Sequence, residues 1–177
     1  MDTNGLVHFY YGNGKGKTTA ALGLALRAAG CGMSVVLVQF LKDWGSGELQ
    51  ALALLENVTI IRGKLSGGAF VHEMSELEKA ETKAMHDENL KKALNLNSAG
   101  QCDMLVLDEA AEAYRLGLLD PQLFEGLIDN KPKSLELVIT GHFKNARLLE
   151  RADYVTQMVK HKHPYDANIA ARRGIEY

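Results

Sequence analysis

Leu6-Val7-His8-Phe9-Tyr10-Tyr11-Gly12-Asn13-Gly14-Lys15-Gly16-Lys17-Thr18-Thr19 is the stretch that decides the fold. Its first six residues are mostly apolar or aromatic, the pattern of a strand buried on both faces. Gly12, Gly14 and Gly16 follow, and Thr18 to Ala29 is an Ala- and Leu-rich run that reads as a helix closed by Gly30 and Gly32. A glycine turn between a strand and a helix makes a phosphate cradle, because its amides point inward and the helix N-terminus adds its dipole. The usual spacing is G-x-x-x-x-G-K-[ST]. Here it is Gly12-x-x-x-Gly16-Lys17-Thr18, one residue shorter. Gly12, Asn13, Gly14, Lys15, Gly16, Lys17, Thr18 and Thr19 are the nucleotide-binding candidates. Lys17 is expected along the phosphate chain, and the Thr18 hydroxyl on Mg²⁺ (or Mn²⁺). The competing reading is a flexible glycine turn with two incidental lysines.

Outward from that loop, apolar runs alternate with helical patterns. Ser34 to Phe40 reads as a second strand, Glu48 to Glu56 as a helix, and Val58 to Arg62 as a short strand. Ser75 and Glu78 have the spacing of a capping box and open a highly charged helix reaching about Asn95, whose charge reads as a solvated face. Met104 to Leu107 is a strand, Asp120-Pro121 an N-cap followed by proline at the first helical position, Leu135 to Thr140 a strand closed by Gly141, and Tyr154 to Lys160 a last short strand. Strands alternating with helices imply right-handed crossovers. The expected fold is a three-layer α/β P-loop NTPase (RecA-like) domain with a mostly parallel central sheet, one domain over residues 1–177. Ligands of such sheets bind at the carboxyl ends of the strands.

With 177 residues the chain suits a single domain that buries its own core. A net charge of −2 argues against a nucleic-acid or anionic-membrane surface. Cys31 and Cys102 have no ligand spacing and read as reduced thiols. No apolar run approaches a bilayer span, and Met1 to Gly5 lacks a secretory pattern. A cytoplasmic protein is expected.

The second half of a nucleotide site is an acidic residue at a strand end. Asp103-Met104-Leu105-Val106-Leu107-Asp108-Glu109 delivers two carboxylates to the sheet edge, where one can hold Mg²⁺ directly or through water. The competing reading is that Asp108 and Glu109 merely start the next helix, which its dipole would favour.

The loop, then Val38-Gln39-Phe40-Leu41-Lys42, the Asp103–Glu109 segment, Val138-Ile139-Thr140-Gly141, and a tail of Val159 to Asp166 and Gly174 to Tyr177 resemble, in order, the P-loop type of ATP:corrinoid adenosyltransferase. The resemblance implies that ATP and a reduced corrinoid are the substrates. Cobalt as Co(I) attacks the 5′ carbon of ATP, and inorganic triphosphate leaves. The loop then holds a leaving group, with Lys17 and Thr18 as its catalytic residues, and Asp108 and Glu109 beside Thr18 at the metal. The cofactor-like substrate carries the chemistry, so no protein nucleophile is needed. The resemblance further implies a homodimer and a reduced flavoprotein as electron donor. It also includes members with an N-terminal extension that helps cover the corrinoid; here the first strand begins at Leu6, so a more open corrinoid site is expected.

Two departures from the family pattern stand out. Where the family often has Phe-x-Trp-Glu beside the corrin, this chain has Phe70-Val71-His72-Glu73. Phe70 is expected as the wedge against the corrin, and His72 packs likewise, touches cobalt or a corrin side chain, or is a polar loop histidine. Where the family often has Thr-Gly-Arg, this chain has Thr140-Gly141-His142, with Arg147 and Lys144 as substitute cations and His142 as an ATP-binding candidate. His161 and His163 form a His-x-His pair open to a weak metal reading and otherwise to a solvated or substrate-facing basic segment, and Trp44 is open to contact with a planar ligand or to anchoring its loop. Two other functions are compatible with the motifs: an NTPase or phosphotransferase, which needs a positioned water or acceptor and often an arginine finger, and a non-catalytic regulatory paralogue binding ATP or corrinoid.

Overall fold

The computed structural model of the chain describes residues 4–42, 45–64 and 71–176. Trp44 and Phe70 lie outside those residues. In chain order the elements are β1 (Val7–Tyr11), α1 (Lys17–Gly30), β2 (Val35–Gln39), α2 (Gly47–Leu52), β3 (Val58–Ile61), α3 (Glu76–Ser98), β4 (Met104–Asp108), α4 (Ala110–Arg115), α5 (Pro121–Asp129), β5 (Glu136–Gly141), α6 (Ala146–Arg151) and β6 (Tyr154–Gln157). Short 3₁₀ turns cover Val71–Glu73 and Pro164–Ala167.

The strands form one sheet in the order β3-β2-β4-β5-β1-β6, with every neighbouring pair parallel. β2 and β4 are buried at every position, which is why their sequences run apolar without alternation. Two cores lie on opposite faces. One packs Ala21, Leu22 and Ala25 of α1 and Leu49 and Leu52 of α2 onto Val35, Leu37 and Val106. The other packs Leu90 of α3, Phe124 and Leu127 of α5 and Leu148 of α6 onto Phe9, Leu105, Leu107 and Ile139. The result is three layers with the sheet in the middle, the P-loop NTPase-like arrangement. Because the strands run the same way, their carboxyl ends share one edge, and β5 separates the loop-bearing β1 from the carboxylate-bearing β4.

Local signals explain most boundaries. Ser75 and Glu78 form the reciprocal capping box of α3. Asp120 accepts from the backbone N–H of Gln122 and Leu123, with Pro121 as the first residue of α5. The inner face of α3 is Thr82, His86, Asn89, Leu90 and Ala93, so the charged residues do lie outward and the buried side carries polar groups as well. The helix read at Glu48–Glu56 is shorter, Gly47–Leu52. A turn in which Leu55 N–H bonds to Leu52 O redirects the chain into β3.

Candidate functional site

The loop after β1 takes its shape from the strands on either side. Gly12 N–H donates to His142 O at 3.2 Å, and Gly14 N–H to Met158 O at 2.8 Å. A Cβ on Gly12 would stand 2.2 Å from Met158 O, and Gly12 has φ +118°, so this position admits glycine alone. Gly16 turns the chain into α1 at φ +115°. Asn13 accepts from Lys160 N–H at 2.9 Å, tying the loop to the segment after β6. Lys17 folds back over the loop, its Nζ donating to Gly14 O at 3.0 Å.

Asp108, the last residue of β4, is 0% exposed, and its carboxylate is saturated. Oδ1 accepts from the hydroxyls of Thr18 and Thr140, each at 2.9 Å. Oδ2 accepts from Gln39 Nε2 at 3.1 Å and from Lys42 Nζ at 2.7 Å. The register of β2 on β4 sets Gln39 opposite Asp108. Lys42 Nζ also donates to Thr18 Oγ1 at 2.9 Å and lies 4.0 Å from Glu109. Thr18 thus gives its proton to the carboxylate and turns its lone pairs toward a cation. Gln39 Oε1 is buried beside Asp108 with no hydrogen-bond partner.

Glu109 has φ +62°, a left-handed conformation uncommon for a residue with a side chain, and its N–H donates to Thr140 Oγ1 at 2.8 Å. Burial raises its carboxyl above the usual carboxylate range, opposed by Lys42 and Lys17. Both carboxylates read from the sequence therefore reach the edge with different surroundings. Asp108 lies beneath Thr18, and Glu109 lines the cleft above.

That cleft, of ≈ 240 Å³, brings Lys15, Lys17, Thr18, Gln39, Lys42 and Glu109 together. Its far wall is the tail, Ile175 and Glu176. Lys15 Nζ donates to Ile175 O at 3.0 Å. Arg172 hydrogen-bonds both oxygens of Glu176 and holds that carboxyl down at about 2.

Other candidates lie elsewhere. His142 offers its carbonyl to Gly12, while its exposed ring stands edge-on to Phe143 with centroids 4.7 Å apart, outside the cleft lining. Arg147 is engaged by Glu125 and Asp129 of α5, so it is not a cation turned to the phosphates. Lys144 is exposed. His72 sits in a 3₁₀ turn with its side chain 77% exposed, 3.9 Å from Glu73. His163 Nδ1 accepts from Tyr165 N–H and caps a turn, a structural use of that histidine. Cys31 and Cys102 are free, and burial pushes the Cys102 thiol up to about 12.

Sequence reasoning gave no role to Gln39, Lys42, Thr140 or His86. The first three are polar residues at or just past the carboxyl ends of buried strands, a signal that was available. His86 is hidden in a charged helix. Its Nε2 accepts from Leu41 N–H at 3.3 Å and its Nδ1 donates to Leu118 O at 2.8 Å. Leu41, at φ +55°, is thereby held in the turn that aims Lys42 at Asp108.

The sequence profile of the ATP:corrinoid adenosyltransferase BtuR/CobO/CobP family matches residues 3–177. This chain belongs to that family. Among the relatives of this chain are the corrinoid adenosyltransferase of Escherichia coli strain K12, 33% identical over 100% of this chain and 88% of that one, and that of Pseudomonas aeruginosa, 32% identical over 99% and 85%. A third, from Salmonella typhimurium, is 31% identical over 100% of this chain and 88% of its own. The family makes the chain a transferase with ATP and a corrinoid as substrates. No helix among the described residues is long and apolar enough to cross a membrane.

Proposed function

We propose that the chain transfers the 5′-deoxyadenosyl group of ATP to the cobalt of a reduced corrinoid, with the triphosphate gripped by the loop at Gly12–Thr19. The Co(I) electron pair forms the bond to the 5′ carbon. The bond from that carbon to its phosphate oxygen breaks, and its electron pair leaves with inorganic triphosphate. The observation that carries this reading is the convergence of Lys15, Lys17 and Lys42 in one cleft beside the loop. A departing polyanion needs fixed positive charge and close donors at the leaving end, and no general base. Lys17 over the loop and the N-terminus of α1 supply both.

Mg²⁺ or Mn²⁺ fits the residues present. Thr18 turns lone pairs outward, Lys42 holds a cation's place, and Gln39 Oε1 needs a donor such as a bound water. Among the described residues no group of three or more His, Cys, Asp or Glu forms a metal cage, so phosphates and water would complete the shell. Thr18 and Asp108 would hold the ion, with Asp108 Oδ1 also orienting the Thr18 hydroxyl; bound there, the ion would neutralise charge on the triphosphate. Glu109 stands one step back, facing the cleft. On the corrinoid side, Phe70 is proposed as the wedge with His72 beside it, in keeping with the exposure of the His72 ring. A homodimer, a cytoplasmic setting and a reduced flavoprotein donor complete the proposal on family grounds.

The test incubates the protein with ATP, Mg²⁺ and chemically reduced corrinoid, follows the cobalt–carbon bond spectrally and identifies the phosphate product. An alkylated corrin with triphosphate is expected. Orthophosphate released without corrinoid would replace this reading with an NTPase, and binding with neither product would make the chain a regulatory paralogue.

A further inference from the structure

Lys42 holds a position that phosphate binding does not explain. Its ammonium sits 2.9 Å from Thr18 Oγ1 and 2.7 Å from Asp108 Oδ2, the hydroxyl and the carboxylate of the metal position. Thr18 has committed its proton to Asp108 Oδ1, so only lone pairs face Lys42. That pairing, a hydroxyl lone pair and a carboxylate oxygen, is what a hard divalent cation takes at about 2.0–2.1 Å. Two cations cannot share those oxygens: an ion at that range would overlap the ammonium, and their charges repel. The arrangement is also built to let Lys42 leave. Its backbone is fixed, by the Leu41 N–H bond to His86 and by a bond from Arg62 Nη2 to Lys42 O at 3.1 Å. Beyond that anchor the stem is a flexible four-carbon chain ending in three rotatable donors. Its side chain is 19% exposed on the cleft side, whereas that of Asp108 is 0% exposed.

We propose that Lys42 is a built-in counter-ion that competes with the divalent cation for Thr18 and Asp108. The cation therefore enters only with a nucleoside triphosphate, whose phosphates give the displaced ammonium a new partner. This rests on the metal and nucleotide reading above and adds an order of events to it. While Lys42 neutralises the buried Asp108, the charge the metal would find is already compensated. When the triphosphate arrives, its oxygens complete the metal shell and attract the ammonium, which swings up beside Lys17 and Lys15. The exchange keeps Asp108 paired throughout and adds a third lysine to the leaving group.

Mn²⁺ serves as the probe, with free ion counted by electron paramagnetic resonance. Wild type is expected to hold Mn²⁺ at least about tenfold more tightly with ATP present than without it, after correction for Mn²⁺ bound to ATP in solution. Lys42→Gln is expected to bind Mn²⁺ alone at least about tenfold more tightly than wild type does. Circular dichroism confirms its fold. Equal affinity of wild type and a folded Lys42→Gln for Mn²⁺ alone overturns the proposal. So does a wild type that binds Mn²⁺ equally with and without ATP, a measurement that needs no variant. Asp108→Asn separates the two levels. If it retains full Mn²⁺–ATP binding, the metal reading fails and the inference falls with it. If it loses that binding while Lys42→Gln gains no site, the inference alone fails.

Discussion

Thr140→Val replaces a hydroxyl by a methyl at nearly constant volume, in a position with 0% exposure. The hydroxyl donates to Asp108 Oδ1 at 2.9 Å and accepts from Glu109 N–H at 2.8 Å. Losing the first removes a hydrogen bond to a charged group, about 1.5–3 kcal/mol. Losing the second strands a backbone N–H, about 1–3 kcal/mol. One hydroxyl serves both, so the terms overlap, and the expected loss of unfolding free energy is about 2–5 kcal/mol. For a chain of this size each kcal/mol lowers Tm by about 2–4 °C. Urea titration at neutral pH measures the change through the midpoint, with the slope as a check that compactness has not altered. Thr140→Ser keeps the hydroxyl and loses one methyl, so it is expected to cost about 1 kcal/mol. A Thr140→Val protein within about 0.5 kcal/mol of wild type would refute the idea that the Thr140 hydroxyl ties Asp108 to Glu109.

Three further outcomes follow from the same geometry. Gly12→Ala forces a side chain into Met158 O at φ +118°, so ATP affinity measured by calorimetry is expected to fall at least about tenfold with a stability loss of about 1–3 kcal/mol; unchanged affinity would show that the loop can reshape. Lys17→Ala is expected to remove most adenosyl transfer, read as the initial rate of cobalt–carbon bond formation, and full activity would remove Lys17 from the leaving-group site. His86 is held neutral: burial pushes its titration below the ordinary histidine value, against smaller opposing effects of its bond to Leu118 and of Asp87. The unfolded chain takes up that proton first, so the stability His86 contributes is present above about pH 6.5 and is lost as pH falls through the lower folded value. Urea midpoints between about pH 7.5 and 5 should fall more steeply for wild type than for His86→Gln, and parallel profiles would show that His86 takes no part.

How much could be read from the chain differs by element. The strand-loop-helix at Leu6–Ala29, the capping box at Ser75 and the cap at Asp120 are written locally, in residues a few positions apart, and the structure follows them. The partners of Asp108 are not. Gln39 and Thr140 meet it through the strand register, which pairs Gln39 with Asp108 across 69 residues, and Thr18 and Lys42 through the start of α1 and the turn after β2. Period and propensity carry no register between distant strands; what they did carry was the position of polar residues where apolar runs stop. α4 was read only as a helix following Asp108 and Glu109, without bounds, because six residues beginning Ala-Ala offer too little period to read. His86 escaped notice because its neighbours on α3 are charged, and burial is decided by what the helix lies against. The tail over the cleft follows no periodic pattern, and its placement rests on side chains such as Lys15 and Arg172.

The strand order has a consequence for how the molecule is made. β1 leaves synthesis first, yet its neighbours in the sheet are β5 and β6, and Leu6 is bonded to Glu136 across 130 residues. The phosphate loop sits at the end of that strand, so it has no floor until Met158 exists. The strands β2, β3 and β4 can pair while β1 waits, and the gap between β4 and the chain's beginning closes only when β5 is supplied. Contacts this distant in sequence slow folding and leave an apolar strand unpaired in the meantime. The loop therefore takes its shape only once the chain past β6 is present, and a truncated product ending before β6 is expected to carry the whole phosphate motif without the Met158 contact that shapes it.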